Sequence, residues 1–220
     1  MRLGAIVPNF RAETSKGLID FYGWQDSSWV VLLSHPRDFT PVCTTELGKI
    51  ALLHEKFAKR NVKCIALSVD GLQEHLAWIS DIKSYFEELG DDFPYPLIAD
   101  PQRDLAVSFG MLNEDDRDNI ELGKTIRTVY VIDPDHKVRL TMCYPMTTGR
   151  NIDEILRVID SMQLTDRSKI LATPVNWTPG SKVMLIPSVT DEEAKKFFPN
   201  GFNKIKLPSG KNYLRTTENY

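Results

Sequence analysis

The most constraining feature of this 220-residue chain is the stretch from Trp29 to Phe86, where short apolar runs alternate with longer segments of helical periodicity. Trp29-Val30-Val31-Leu32-Leu33 is the longest uninterrupted apolar run. It is apolar at successive positions, as a central strand buried on both faces must be. A loop with Pro36 and Pro41 follows. Leu47, Ile50, Ala51, Leu53 and Phe57 then recur at the spacing of one helical face, which predicts a helix from Pro41 through about Arg60. Val62 to Val69 reads as the next strand, and Leu76, Ile79, Ile82 and Phe86 as the inward side of a second helix. A strand–helix–strand unit of this kind forces a crossover and a parallel strand pair.

Beyond Gly90 the prolines Pro94, Pro96 and Pro101 surround a short strand at Leu97-Ile98, and a short helix is expected over Leu105 to Phe109. Asn113 to Lys124 is strongly polar and reads as an exposed loop. Thr128–Ile132 and Val138–Tyr144 flank the turn Asp133-Pro134-Asp135-His136-Lys137, which makes an antiparallel hairpin. Asn151 and the acidic pair behind it open a further helix with Ile152, Ile155, Leu156 and Ile159 inward. This order implies an α/β, thioredoxin-like fold, a mixed central sheet flanked by helices. After about Gln163 the chain turns proline-rich. One short strand (Val183–Ile186) and one helix (a capping box at Thr190–Glu193, running to Phe198) are all it offers. The expected division is a main domain over 1–163 and a small C-terminal α+β extension over 164–220, too poor in regular structure to stand alone.

Composition removes several classes of function. The chain has 27 basic and 30 acidic residues, so it lacks the basic excess of a nucleic-acid binder. No apolar run approaches the ~20 residues of a membrane span, so no stable membrane insertion is expected. Pro8 stands where a signal peptide needs its apolar stretch, which favours a cytoplasmic location. His35, His54, His75 and His136 fall in no ligand spacing, so no metal site is expected. Cys43, Cys64 and Cys143 are too far apart in sequence for a C-x-x-C redox pair or a zinc knuckle.

Cys43 is placed differently from the other two. The apolar strand ends at Ser34, and Pro41 suits the first position of the following helix, which makes Thr40 the N-cap and puts Cys43 in the first turn. The positive end of the helix dipole and the free N–H groups there favour thiolate over thiol. Cys64 alternates with apolar neighbours in a strand and Cys143 sits at a strand end, so core packing is the expectation for both.

Pro36-x-x-x-Thr40-x-x-Cys43 resembles the active-site motif of the peroxiredoxins. The string His35 to Glu46 is similar to the one-cysteine, peroxiredoxin-six subfamily. Thr147–Asn151, Ala172–Val175, Glu192–Lys196 and Leu207–Lys211 extend the resemblance over essentially the whole chain. It implies a thiol-dependent peroxidase acting on hydrogen peroxide and organic hydroperoxides in antioxidant defence, with Cys43 as peroxidatic cysteine. Thr40 would hydrogen-bond thiolate and peroxide, Pro36 would shield the sulfur, and Arg127 would stabilise the thiolate and the leaving oxygen. Glu46 and Arg150 match the residues that orient that arginine, and His35 would modulate the pocket.

Residues 144–220 contain no cysteine, so a C-terminal resolving cysteine is missing. The resemblance then implies an external thiol, glutathione or a redox protein, in place of any bound cofactor. It also implies a homodimer in which the extension covers the active site. A second reading is a peroxide-switched holdase chaperone or redox signalling protein. A phospholipase activity found in the subfamily is disfavoured, because Asp26-Ser27-Ser28-Trp29-Val30 lacks both glycines of a Gly-x-Ser-x-Gly elbow and no histidine precedes His35.

Overall fold

The structure is a computed structural model that describes residues 1–116 and 123–220. Of the polar loop expected at Asn113 to Lys124, residues 117–122 lie outside the described residues, and Glu114–Asp116 form a 3-10 turn. Two compact units are present, Met1–Ile152 and Asp153–Tyr220. The division falls at the start of a helix whose end is where the sequence changes texture.

The first unit contains strands β1 (Arg11–Thr14) and β2 (Gly17–Asp20), helix α1 (Phe21–Gln25), β3 (Trp29–Ser34), α2 (Pro41–Leu52), α3 (His54–Ala58) and β4 (Val62–Ser68). These are followed by α4 (Leu72–Tyr85), β5 (Leu97–Ala99), α5 (Asp104–Ser108), β6 (Arg127–Ile132) and β7 (Val138–Tyr144). The strands form one seven-stranded sheet in the order β2-β1-β5-β4-β3-β6-β7. β3, β4 and β5 are parallel, and β6, β7, β1 and β2 join antiparallel, which is the expected mixed thioredoxin-like sheet. Every residue of β3 is buried, as its unbroken apolar run requires. Val30 and Leu32 point into a core with Ile65, Leu67, Ile98, Tyr130 and Ile132. Val31 pairs with Cys64 and Val131 on the opposite face.

Three features depart from the sequence reading. The helix expected from Pro41 to Arg60 is broken at Leu53, whose φ of −93° and ψ of 7° end α2 and begin α3. Leu47, Ile50, Leu53 and Phe57 are buried on both sides of the break, so the apolar period runs through it unmarked. The hairpin β1–β2 was invisible because four-residue strands carry little alternation; its turn is set by Gly17 at φ +95° and by the Thr14 hydroxyl donating to the Gly17 carbonyl. Cys143, expected in the core, is exposed. It lies near the end of β7, the edge strand, where one face of the sheet meets solvent.

The second unit carries most of α6 (Ile152–Arg167), then β8 (Leu171–Ala172), β9 (Val183–Leu185), α7 (Asp191–Phe197), β10 (Asn203–Lys204) and β11 (Arg215–Thr217). Its strands form an antiparallel sheet in the order β10-β11-β9-β8, richer than the single strand expected. Two- and three-residue strands have no period to read. Leu164, Leu171, Trp177, Val183, Leu185, Val189, Ala194 and Phe198 make a core within this unit. Thr190 and Glu193 form both halves of the expected capping box.

Gly48 lies in the middle of α2, where alanine would ordinarily strengthen a helix by ~1 kcal/mol. Here a Cβ would fall 2.0 Å from Cε2 and 2.1 Å from Cδ2 of Phe86. The ring of Phe86 therefore lies on the glycine and packs the end of α4 against α2. Gly48→Ala is expected to expel that ring and reverse the usual sign, destabilising by about 1–3 kcal/mol, as overpacking does. Thermal melts check this; a raised Tm would show that the ring relocates at no cost.

Candidate active site

The site is built where β3, α2 and β6 meet. β3 delivers the chain to the loop 35–40, and Pro41 starts α2 without an N–H to satisfy. Cys43 is the third residue of α2 and has no exposed surface. Thr40 is the N-cap in extended conformation, as expected. Its hydroxyl does not cap the helix: it donates to the Arg37 carbonyl at 2.8 Å. Pro36 is buried at the start of the loop.

β6 runs antiparallel to β3 and begins at Arg127, one residue earlier than the sequence pattern suggested. The Arg127 Nη1 lies 3.4 Å from Cys43 Sγ and donates to Glu46 Oε2 at 2.6 Å. Its Nε and Nη2 both donate to the Met146 carbonyl, at 2.9 and 2.7 Å. All three guanidinium nitrogens are engaged, so the group is fixed in plane and direction.

Glu46 lies three residues after Cys43, on the same side of α2. Arg150 grips it from the other side. Arg150 Nε and its backbone N–H donate to Oε1 at 2.9 and 2.7 Å, and Nη2 donates to Oε2 at 2.8 Å. Nη1 of Arg150 donates to the carbonyls of Ser34 and Thr128, at 2.8 and 3.0 Å, which ties the pair to β3 and β6. Burial alone would raise the Glu46 carboxyl. The hydrogen bonds and charge of Arg150, with the charge of Arg127, overcome that and hold it below the usual carboxylate range. The structure thus brings Cys43, Glu46, Arg127 and Arg150 into one buried cluster. A fixed guanidinium beside a sulfur in the first turn of a helix is an arrangement that can serve a nucleophilic cysteine.

His35 belongs to a neighbouring group. Its Nε2 is 2.7 Å from Asp38 Oδ1, and Asp38 Oδ2 is 2.5 Å from Nδ1 of His75, on α4. These three could hold a cation by their proximity. A metal with bonds of 2.0–2.2 Å at tetrahedral angles would spread its donors to about 3.3 Å. The distances present are those of hydrogen bonds.

The sequence matches the AhpC/TSA family over residues 3–141. The chain belongs to that family. Residues 161–201 match the C-terminal domain of 1-Cys peroxiredoxin, so the second unit is a peroxiredoxin feature too. The chain is 54% identical to peroxiredoxin-6 of Gallus gallus and 52% identical to that of Homo sapiens, over 98% of this chain and 96% of each relative. A solved structure of a cysteine-to-serine variant of peroxiredoxin 6 from Arenicola marina superposes with a TM-score of 0.93 at 49% identity, covering 100% of this chain and 99% of that one. A yeast mitochondrial 1-Cys peroxiredoxin, described in terms of thiol resolution via glutathione and thioredoxin systems, superposes with a TM-score of 0.86 at 44% identity, covering 99% of each chain. This peroxiredoxin is a thiol-dependent peroxidase of the one-cysteine class, using an external reductant.

Sequence reasoning missed Met146, whose carbonyl fixes Arg127, and the pair Asp38 and His75. Met146 acts through its backbone, which no side-chain pattern reports. His75 lies 37 positions from Asp38, and only the packing of α4 against the loop brings them together. Cys64 is buried within β4, and burial pushes its thiol well above the ordinary range, as a core cysteine requires.

Glu46 is the anion between two buried cations, so Glu46→Gln should cost about 3–5 kcal/mol, the usual penalty for breaking a buried pair. The folded protein holds this carboxyl below its unfolded value near 4.3. Its contribution is therefore complete above that value and fades as pH falls through the folded one. Melting temperatures from pH 7 down to 3 should show the gap between wild type and Glu46→Gln narrowing below about pH 4.5. A gap that stays constant would remove Glu46 from the ionic cluster.

Proposed function

We propose that Cys43 is the peroxidatic cysteine, that Arg127 and Thr40 serve the reacting atoms with Pro36 shielding the sulfur, and that Glu46 and Arg150 position Arg127. The observation that carries this is the 3.4 Å separation of Arg127 Nη1 from Cys43 Sγ in a buried cluster at a helix N-terminus. The Cys43 thiolate attacks one oxygen of hydrogen peroxide or an organic hydroperoxide. The S–O bond forms as the O–O bond breaks, and the second oxygen leaves with a proton as water or alcohol. Cys43 is left as sulfenic acid. Arg127 faces the negative charge that passes from sulfur to the leaving oxygen, the kind of fixed donor worth about 2.7–4 kcal/mol in a rate.

In this reading an external thiol attacks the sulfenic sulfur, releasing water and forming a mixed disulfide, which a second thiol reduces. Glutathione or a thiol redox protein fits that role, with no bound cofactor. The yeast relative's described use of glutathione and thioredoxin systems supports it. The protein acts in the cytoplasm as a homodimer, residues 1–163 carrying the peroxidase and residues 164–220 contributing to the dimer. No helix among the described residues is long and apolar enough to cross a membrane.

The serine variants test the assignment. Cys43→Ser should abolish peroxide consumption in the presence of excess glutathione, while Cys64→Ser and Cys143→Ser keep most of it. Loss of turnover in either of the latter as a folded protein would overturn the one-cysteine assignment. With peroxide in excess and thiol withheld, intact-mass spectrometry of the wild type should show two and then three added oxygens on the Cys43 peptide. Stoichiometric disulfide-linked dimer through Cys143, exposed on β7, would show instead that a second cysteine resolves the sulfenic acid.

A further inference from the structure

The loop that joins β3 to α2 is held in a conformation it would not adopt alone. Phe39 has φ +54°, in the left-handed region, and its side chain is 55% exposed, so packing of the ring does not explain it. A bulky residue there is strained and persists only where surrounding contacts impose it. The residues on either side supply those contacts. The backbone N–H of His35 donates to the Leu67 carbonyl at 3.0 Å, and its carbonyl accepts from the Thr125 hydroxyl at 2.5 Å. The backbone N–H of Asp38 donates to Asp70 Oδ2 at 2.9 Å.

The carboxylate of Asp38 does more. It bridges His35 Nε2 and His75 Nδ1, and His75 Nε2 donates to the Ile98 carbonyl at 3.0 Å. His35, Asp38 and His75 are all buried. A chain of hydrogen bonds therefore runs from β5 through α4 to the middle of the loop, next to Phe39 and two residues before Thr40. Both ring nitrogens of His75 face acceptors, so both are satisfied only if the ring carries two protons. His35 differs: its Nδ1 has no partner among the described residues, so one proton on Nε2 suffices. The group is then one imidazolium, one carboxylate and one neutral imidazole.

We infer that Asp38 and His75 are positioning residues of the peroxidase, their buried ion pair holding the strained loop so that Pro36 and Thr40 stay in register with Cys43. The inference rests on the reading of Cys43 as the peroxidatic cysteine. The groups acting on His75 are Asp38 from the loop, Asp70 after β4, and the Ile98 carbonyl of β5. His35 adjoins it with ring centroids 6.1 Å apart, and Glu74, its neighbour on α4, is exposed. Asp70 is itself 3.7 Å from Arg37. Burial works against the charge on His75, but the hydrogen bond and charge of Asp38 outweigh it and raise its pKa above the ordinary value. Burial lowers that of His35, against the opposing pull of Asp38. A raised histidine keeps its pairing below the folded pKa and loses it as pH rises through that value. The loop is thus clamped below the folded pKa of His75 and loosened as pH rises through it.

The test is the second-order rate of Cys43 oxidation by hydrogen peroxide from pH 5 to 10, in wild type, Asp38→Asn, His75→Gln and the core control Phe57→Leu. The wild-type rate should fall on the alkaline side. His75→Gln and Asp38→Asn should be slower at pH 7 by on the order of ten- to a hundredfold, as misplaced reacting groups are. Their alkaline fall should vanish, because the imidazolium–carboxylate pair whose loss produces it is already gone in both. Phe57→Leu should melt earlier and keep both the rate and the alkaline fall. Folded His75→Gln with an unchanged rate and a retained fall would overturn the inference. If the variants fail to fold, 15N shifts of the wild-type histidines decide: His75 must carry two ring protons at pH 7, and a singly protonated ring overturns it. A wild type that does not react with peroxide through Cys43 overturns the peroxidatic reading itself, and the inference with it.

Discussion

Two buried arginines share one glutamate, and the rest of the site depends on that imbalance. Arg127 and Arg150 have side chains only 3% and 1% exposed, and Glu46 is the carboxylate between them. Two guanidiniums against one carboxylate leave a net positive charge in a dry environment, where uncompensated charge is expensive. The group placed to neutralise it is the sulfur of Cys43, 3.4 Å from Arg127. The helix N-terminus at Cys43 adds positive potential from the other side. In the proposed reading, the cysteine's role is a by-product of a charge count that the fold imposes.

The sheet makes the imbalance possible. Arg127 starts β6, Ser34 ends β3, and Glu46 and Cys43 are one turn apart on α2. Arg150 reaches the carbonyls of Ser34 and Thr128 at the ends of these two adjacent strands. The Ser34 hydroxyl donates to the Ile126 carbonyl and accepts from the Thr128 N–H. Moving β6 by one residue against β3 would turn Arg127 to the other face of the sheet. The long apolar pairing of β3 with β4 and β6, which fixes that register, therefore also fixes the distance from guanidinium to sulfur.

What could be read from the sequence divides along the same physical lines. β3, β4 and β6 were legible because buried strands must be apolar in runs, β7 because a turn at Asp133–Lys137 pairs it with β6, and Cys43 because proline and a cap mark the start of α2. The break at Leu53 was not, since burial continues across it. β8, β10 and β11 were too short to show a period. Among site residues, Thr40, Pro36, Cys43 and Glu46 lie in one local string, whereas Arg127 and Arg150 were reached only through resemblance. The Asp38–His75 contact joins two segments whose local patterns say nothing of each other, and an exposed Cys143 depends on β7 being an edge, which is a property of the sheet and not of the strand.

The charge count also bears on the second half of the cycle. In the proposed cycle Cys43 becomes a neutral sulfenic acid, and Arg127 and Arg150 again face a single carboxylate. The excess positive charge then favours an anion approaching the sulfur, and the reductant attacks as a thiolate. On that reading the same fixed groups serve both steps. Access is the remaining condition. Cys43 has no exposed surface, so peroxide and the bulkier thiol alike reach it only after the neighbouring chain moves. The loop 35–40 is the segment whose conformation is strained at Phe39 and held by hydrogen bonds from outside itself. The strain at Phe39 offsets part of the cost of breaking those contacts. In the proposed cycle the loop that carries Thr40 is thus also the segment whose displacement would admit the reductant.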